Sequence, residues 1–136
     1  MNECLFCKII AGEIPSQKIY EDGDTFVFLD IGPVSRGHAL IIPKEHASDL
    51  NSGTEEAALA TMRTLHRIAS RLLKSLGATG YNLGMNHGLD GGQDVFHTHL
   101  HFMPRYAGDD RKFIKNEVSP DELSETARIM REGLES

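Results

Sequence analysis

The chain has 136 residues, 40% hydrophobic and 25% charged, with 14 Lys and Arg against 20 Asp and Glu for a formal charge of −6. This length and composition predict one globular domain over 1–136 and exclude a disordered chain or a low-complexity one. With no dense Lys/Arg block, a surface that neutralises many phosphates of a nucleic acid is not expected, whereas a single small nucleotide in a local pocket stays compatible.

In chain order, a short helical segment is expected near residues 4–11. Residues 17–21 (QKIYE) and 25–30 (TFVFLD) read as strands around the turn "DGD", where Gly23 can take positive φ. Residues 38–43 (HALIIP) form a third, mostly apolar strand. From Thr54 to Leu76, Met62, Leu65, Ile68, Ala69, Leu72, Leu73 and Leu76 recur at helical spacing, and Gly77 is a natural stop. Arg63, Arg67, Arg71 and Lys74 fall mostly on the other side, a stripe that reads as solvated helix surface rather than an RNA-binding face. Two more strands, 81–86 (YNLGMN) and 95–103 (VFHTHLHFM), flank "HGLDGGQ", and Pro104 is expected to end the last ladder. "SPDE" opens a final helix, with Ser119 as N-cap, Pro120 at the first position and Glu122 completing a capping box, running to about Leu134. One long helix between hairpins of mostly consecutive strands, followed by a C-terminal helix, gives an α+β domain with a five-stranded, mostly antiparallel sheet.

No stretch of about 18 apolar residues would cross a membrane. The N-terminus lacks the pattern of a signal peptide, so the expected compartment is the cytoplasm, where Cys4 and Cys7 are expected to be reduced rather than joined in a structural disulfide.

"DVFHTHLHFMP" places His97, His99 and His101 at every second position. On a strand these three share one face, while Thr98, Leu100 and Phe102 face the other and pack toward the long helix. A wet strand face, a metal site and a nucleophilic centre all compete. The upstream "NHGLDGGQD" favours the nucleophile, because Gly88, Gly91 and Gly92 can turn backbone N–H groups toward an anion, and a neutral imidazole can attack phosphorus. His66 and His87 read as surface residues. The pair Cys4 and Cys7 lacks the preceding strand of a redox motif, and a zinc site would need two further ligands.

"HTHLHFMP" resembles the signature of the histidine triad (HIT) family. "LFCKIIAGEIP", "FLDI", "GHALIIPKEH" and "NHGLDGGQDVFH" are similar to further blocks of that family, in the same order, so the resemblance covers roughly residues 4–105. It implies a nucleotidyl hydrolase or transferase acting at the α-phosphate, a nucleoside phosphoramidase above all, with His99 forming a covalent nucleotidyl-histidine. His101 and His38 would attend the phosphate and its protons, and Asn86, Gly92 and Gln93 would surround it. Asp30 would accept the ribose hydroxyls. Leu5, Phe6, Ile9, Phe28 and Ile31 would line the base slot, or else be plain core. Prokaryotic-type members with a cysteine pair imply structural zinc on Cys4, Cys7, His46 and His97, and members of this size imply a homodimer whose sheets join. Position 94 departs from the phosphoramidase branch, which usually has serine at the leaving group; here it is Asp94. Alternatives are a diadenosine polyphosphate hydrolase and a zinc-stabilised nucleotide-binding protein with little turnover.

Overall fold

The computed structural model describes residues 3–135. Helix α1 (Leu5–Ile10) starts on Cys4, whose sulfur accepts from the Cys7 amide at 3.4 Å. Strands β1 (Lys18–Glu21), β2 (Thr25–Leu29) and β3 (Ala39–Pro43) follow, then helix α2 (Glu55–Leu76), strands β4 (Gly80–Gly84) and β5 (Leu100–Arg105), and helix α3 (Pro120–Glu135). The five strands make one sheet in the order β1-β2-β3-β5-β4 with every neighbouring pair antiparallel. This is the expected α+β architecture.

Side-chain alternation divides the sheet between two cores. Val27, Leu29, Ala39, Ile41, Leu100 and Phe102 face α2 and α3, meeting Leu65, Ile68, Leu72 and Met130. Phe26, Phe28, Leu40 and Ile42 face the other way and pack under Phe6 and Ile9 of α1. Both faces of β2 and β3 are therefore covered, which explains why these strands read as continuous apolar runs. Helix α2 has Thr54 Oγ1 accepting from the Ala57 amide at its start and Gly77 in the left-handed region at its end. Ser119 Oγ likewise accepts from the Glu122 amide, 3.1 Å away, at the head of α3.

Four local expectations are corrected. Strand β5 begins at Leu100, not 95, because Thr98 N–H bonds to Ala47 O instead of a neighbouring strand, so His97 and His99 occupy a lead-in to the ladder that bends through residues 95–97. Pro104 lies inside β5, opposite Tyr81, and the strand continues to Arg105. Gly23 does not have positive φ; the turn is built by Asp22, whose carboxylate accepts from the amides of Asp24 and Thr25. Met62 is 50% exposed, because the buried stripe of α2 passes through Thr61, Leu65, Ile68 and Leu72 and leaves position 62 on the flank.

Candidate functional site

Two backbone carbonyls, one at the end of β3 and one in the lead-in to β5, fix the first two histidines. His97 Nε2 lies 2.8 Å from Pro43 O, and His99 Nδ1 lies 2.7 Å from His97 O. A carbonyl only accepts, so each of these ring nitrogens donates. In the neutral rings the lone pairs then sit on His97 Nδ1 and His99 Nε2. His99 Nε2 is 3.9 Å from Asp94 Oδ1 at the edge of a cleft that His99 helps to line. The Phe6 ring of α1 stands edge-on to His99, with centroids 5.1 Å apart, and to His97 at 6.0 Å.

His38 and His101 form a second arrangement. Gly37 has φ +89, and a Cβ there would meet Leu76 Cδ1, so glycine delivers the chain into β3 at this close approach. The Val34 amide donates to His38 Nδ1 at 3.1 Å, which leaves the proton on His38 Nε2; that nitrogen donates to His101 Nδ1 at 2.9 Å. The proton of neutral His101 is then on Nε2. Burial pushes the His38 ring down to about 4, against the pull of the Asp30 carboxylate 3.6 Å away. Burial also lowers His101. Both rings are thus neutral at ordinary pH, and the chain runs in one direction, from Val34 N–H through His38 to His101.

The cleft has a volume of about 530 Å³, within the range of small-ligand sites. Leu5, Phe6, Ile9, Phe28 and Ile31 all line it, with Ile31 82% exposed at the rim. Asp30, Asn86, Gly92, Asp94, His99 and His101 bring polar atoms to the same space. Asp30 Oδ1 already accepts from the Gly32 amide at 2.8 Å, but a carboxylate oxygen has a second lone pair to offer. Asn86 Nδ2 spends one donor on Gly92 O, at 3.3 Å, and keeps another.

Two expectations about this cleft change. Gln93 is buried and does not line it: its amide nitrogen donates to Ser48 O and Val95 O, while its carbonyl accepts from the Gly88 amide. The glycine turn does not aim its amides at an anion either. The N–H groups of Gly88, Gly91, Gly92 and Gln93 are all consumed within the turn, on Gln93 Oε1, Gly88 O, Leu89 O and Gly88 O respectively. The turn shapes the wall of the cleft, and the amides of its glycines are already committed within it.

Cys4, Cys7, His46 and His97 converge on the other side of His99, their ligand atoms all within 4.8 Å of one another. His97 Nδ1 is 3.4 Å from Cys4 Sγ, 3.5 Å from Cys7 Sγ and 3.2 Å from His46 Nδ1, and Cys7 Sγ is 3.4 Å from His46 Nδ1. Bonds of about 2.3 Å to sulfur and about 2.05 Å to nitrogen set tetrahedral edges of about 3.6 Å for S···N and about 3.3 Å for N···N. The spacing fits. The tautomer fits too, since Pro43 O holds the proton of His97 on Nε2 and turns the Nδ1 lone pair into the cluster. The donor set suits zinc.

Sequence reasoning did not find Lys115, which reaches the cleft from the segment between β5 and α3. Its Nζ stands 4.0 Å from Asp94 Oδ2. Nothing local in "FIKNE" marks such a residue, because its placement depends on a contact with the loop after β2. His66 and His87 are exposed, as expected, with His87 Nδ1 3.8 Å from Asp49 Oδ1.

Among the described residues no helix is long and apolar enough to cross a membrane. The HIT domain family matches residues 11–108. The chain is 43% identical over 109 residues to the protein named hit of Bacillus subtilis (strain 168), covering 80% of this chain and 75% of that one. It is 42% identical over 104 residues to the adenylylsulfatase HINT3 of Arabidopsis thaliana, covering 76% of this chain and 53% of that protein. The crystal structure of a Zn-bound histidine triad family protein from Mycobacterium smegmatis superposes with a TM-score of 0.89 at 39% identity, covering 98% of this chain and 94% of that one. Together with the fold and the ordered blocks around His97, His99 and His101, these matches show that the chain belongs to the HIT family, with nucleotide binding and hydrolysis as its general function.

Proposed function

We propose that the cleft hydrolyses nucleoside phosphoramidates or related nucleotide conjugates at the α-phosphate, through a nucleotidyl group carried on His99 Nε2. One observation carries this reading: His97 O accepts a hydrogen bond from Nδ1–H of His99 and so leaves an Nε2 lone pair at the edge of a nucleotide-sized cleft. Attack forms the P–N bond and expels the leaving group; water then releases the nucleotide, dividing one hard displacement into two easier ones. His101 Nε2–H and the remaining Asn86 amide proton serve the non-bridging phosphate oxygens, where charge builds in the transition state. His38 fixes the His101 tautomer and so acts as a positioning residue. Gln93 positions as well, by bracing the turn that carries Gly92 and Asp94. Asp30 accepts the ribose hydroxyls, and the base slides between Phe28 and the exposed Leu5 and Ile31. The likeness to a protein named an adenylylsulfatase supports cleavage of an adenylyl conjugate.

Zinc on Cys4, Cys7, His46 and His97 plays a structural part in this reading. A closed Cys2His2 shell has no open position for substrate; its effect is to tie α1, the segment after β3 and the lead-in to β5 together. His97 then contributes twice, with Nδ1 to the metal and its carbonyl to His99. A thiolate site of this kind suits a reducing compartment such as the cytoplasm. The β4 edge supports a homodimer: among the described residues the strand has no outer neighbour, and Tyr81 and Leu83 are 39% and 42% exposed. Sheets from two copies would continue across that edge.

The direct test is incubation with adenosine 5′-phosphoramidate, following AMP by ³¹P NMR beside His99→Ala. AMP from the wild type alone is expected. AMP from both proteins would remove His99 from the reaction, and AMP from neither, with AMP still bound, would favour the nucleotide-binding alternative.

A further inference from the structure

The four side chains of the Cys4, Cys7, His46 and His97 cluster differ in what they can do to one another. Cys4 caps α1 and Cys7 stands one turn on, so both sulfurs, the only two of cysteine in the chain, come from one short stretch. They lie within 4.8 Å of each other, inside the reach of side-chain rotation for a bond of about 2.05 Å. His46 and His97 come from segments 51 residues apart and have no covalent chemistry together. Two ligands can therefore join and two cannot. His97 is fully buried, but Cys4 and Cys7 are half-buried and His46 is exposed. The 3.4 Å contact of Cys7 Sγ with His46 Nδ1 lies at the surface, whereas the 3.4 Å contact of Cys4 Sγ with His97 Nδ1 is partly covered. A small oxidant reaches Cys7 first. The helix behind these sulfurs has six residues, well short of the about 12–15 that let a helix persist by itself in water. Its place depends on Phe6 and Ile9, buried with Phe28 and Leu40, and on the cysteines at its start. Leu5, Phe6 and Ile9 of the same helix wall the cleft. Releasing the cysteines loosens that wall.

We propose that Cys4 and Cys7 are a site of reversible oxidation by hydroperoxides, closing to a disulfide that empties the zinc position and loosens α1 from the nucleotide cleft. This rests on the zinc reading above. The thiolate is the form that reacts, and a thiol that ligates a metal is already deprotonated. Cys7 Sγ attacks the O–O bond of the hydroperoxide and becomes a sulfenic acid, and the departing alkoxide, or hydroxide, takes a proton from solvent. Cys4 Sγ then displaces hydroxide from the Cys7 sulfur, the S–S bond forms, and that hydroxide is protonated as well. Two electrons pass from the two sulfurs to the peroxide and two protons are taken up; with hydrogen peroxide the other product is water. Two imidazoles then remain, half of the closed shell that zinc takes. Pro43 O still accepts from His97 Nε2–H, and His97 O still accepts from His99 Nδ1–H, so the nucleophile keeps its tautomer. What comes loose is α1. The effect of oxidation therefore falls on nucleotide binding, and a dithiol reverses it by exchange.

The test treats the zinc-loaded protein with hydrogen peroxide and follows the metal with a chromogenic chelator. Zinc release is expected to run in step with thiol loss, one metal for each disulfide, and peptide mapping without reduction should find Cys4 joined to Cys7. AMP binding, measured by calorimetry, should weaken by about tenfold, with most of the helical circular dichroism of α2 and α3 kept. A dithiol with added zinc should restore both metal and affinity. Cys4→Ser with Cys7→Ser should bind AMP as weakly as the oxidised protein and should not respond to peroxide. An unchanged AMP affinity after oxidation, zinc released without a Cys4–Cys7 disulfide, or collapse of the whole helical signal would each overturn the proposal. A reduced protein that takes up no zinc when supplied with it would instead bring down the zinc reading, and the switch with it.

Discussion

Two histidine clusters lie on either side of His99, built from the same residue type and separated by what the backbone does to the rings. In the Cys4, Cys7, His46 and His97 cluster, the Pro43 carbonyl accepts from the outer N–H of His97 and turns its lone pair inward. In the Asp30, His38 and His101 cluster, an amide at Val34 donates to the outer nitrogen of His38 and turns its proton inward. The first arrangement gathers lone pairs on one point and suits a cation. The second passes hydrogen bonds along a line and suits proton and phosphate handling. Whether a histidine becomes a ligand or a donor is thus decided by one backbone group at its far nitrogen.

The largest effect expected from breaking this contrast is on the first cluster. Cys4→Ser with Cys7→Ser should reduce bound zinc, measured by mass spectrometry of the metal, from one per chain to none, and lower the unfolding free energy by several kcal/mol. His38→Ala should leave zinc content unchanged. If instead it released the metal, the two clusters would be one unit and the contrast would fail.

Phe6 touches both sides, edge-on to His97 and His99 and to Phe28 at 5.3 Å. It is 5% exposed, so Phe6→Ala should cost about 3–5 kcal/mol in denaturant unfolding. It should also loosen zinc and weaken nucleotide binding together. Loss of stability with both functions intact would show that the ring is only filling space.

The second cluster should be visible in the pH dependence of stability. Above pH 6.5 His38 is neutral in the folded and the unfolded chain alike. As pH falls from 6.5 toward 4 the unfolded chain takes up a proton that the folded chain refuses, so stability declines through that window and this contribution levels off below it. The gap between 6.5 and about 4 is worth roughly 3 kcal/mol at most. His38→Asn should remove that share of the slope in guanidinium unfolding between pH 4 and pH 7; an unchanged slope would mean the ring is not held neutral. The smallest effect belongs to the head of α2, where Thr54 Oγ1 accepts from the Ala57 amide and donates to Glu45 Oε1, one residue before His46. Thr54→Ala should cost about 1 kcal/mol through the lost cap of α2, with zinc and turnover untouched.

Much of this arrangement was legible in the sequence because it depends on short-range geometry. The alternation of His97, His99 and His101 against Leu100 and Phe102 survives even though β5 starts only at Leu100: Phe6 stands against both His97 and His99, and the His99 and His101 rings lie 5.0 Å apart. The spacing that starts α2 after Thr54 and ends it at Gly77 is likewise local. What sequence reasoning missed depends on contacts distant along the chain or on how a loop satisfies itself. Gln93 looks like a phosphate donor until Ser48 O and Val95 O are found to occupy its amide. The glycines from 88 to 92 look like an anion cradle until their amides are traced into the turn. Lys115 enters the cleft only because Asn116 reaches Pro33, 83 residues earlier. Backbone groups must be satisfied somewhere, and a sequence does not reveal which partner wins.

The central claim is that His97 O leaves the Nε2 lone pair of His99 as the nucleophile. Its most direct test is a rapid mix of the protein with adenosine 5′-phosphoramidate, quenched by denaturant at high pH, where a phosphorus–nitrogen bond to histidine survives, followed by peptide mapping and NMR of the adduct. An adenylyl group on Nε2 of His99 is the result predicted. AMP formation with the group on His101 or His97, on Nδ1 of His99, or on no histidine during a burst of turnover would contradict the account.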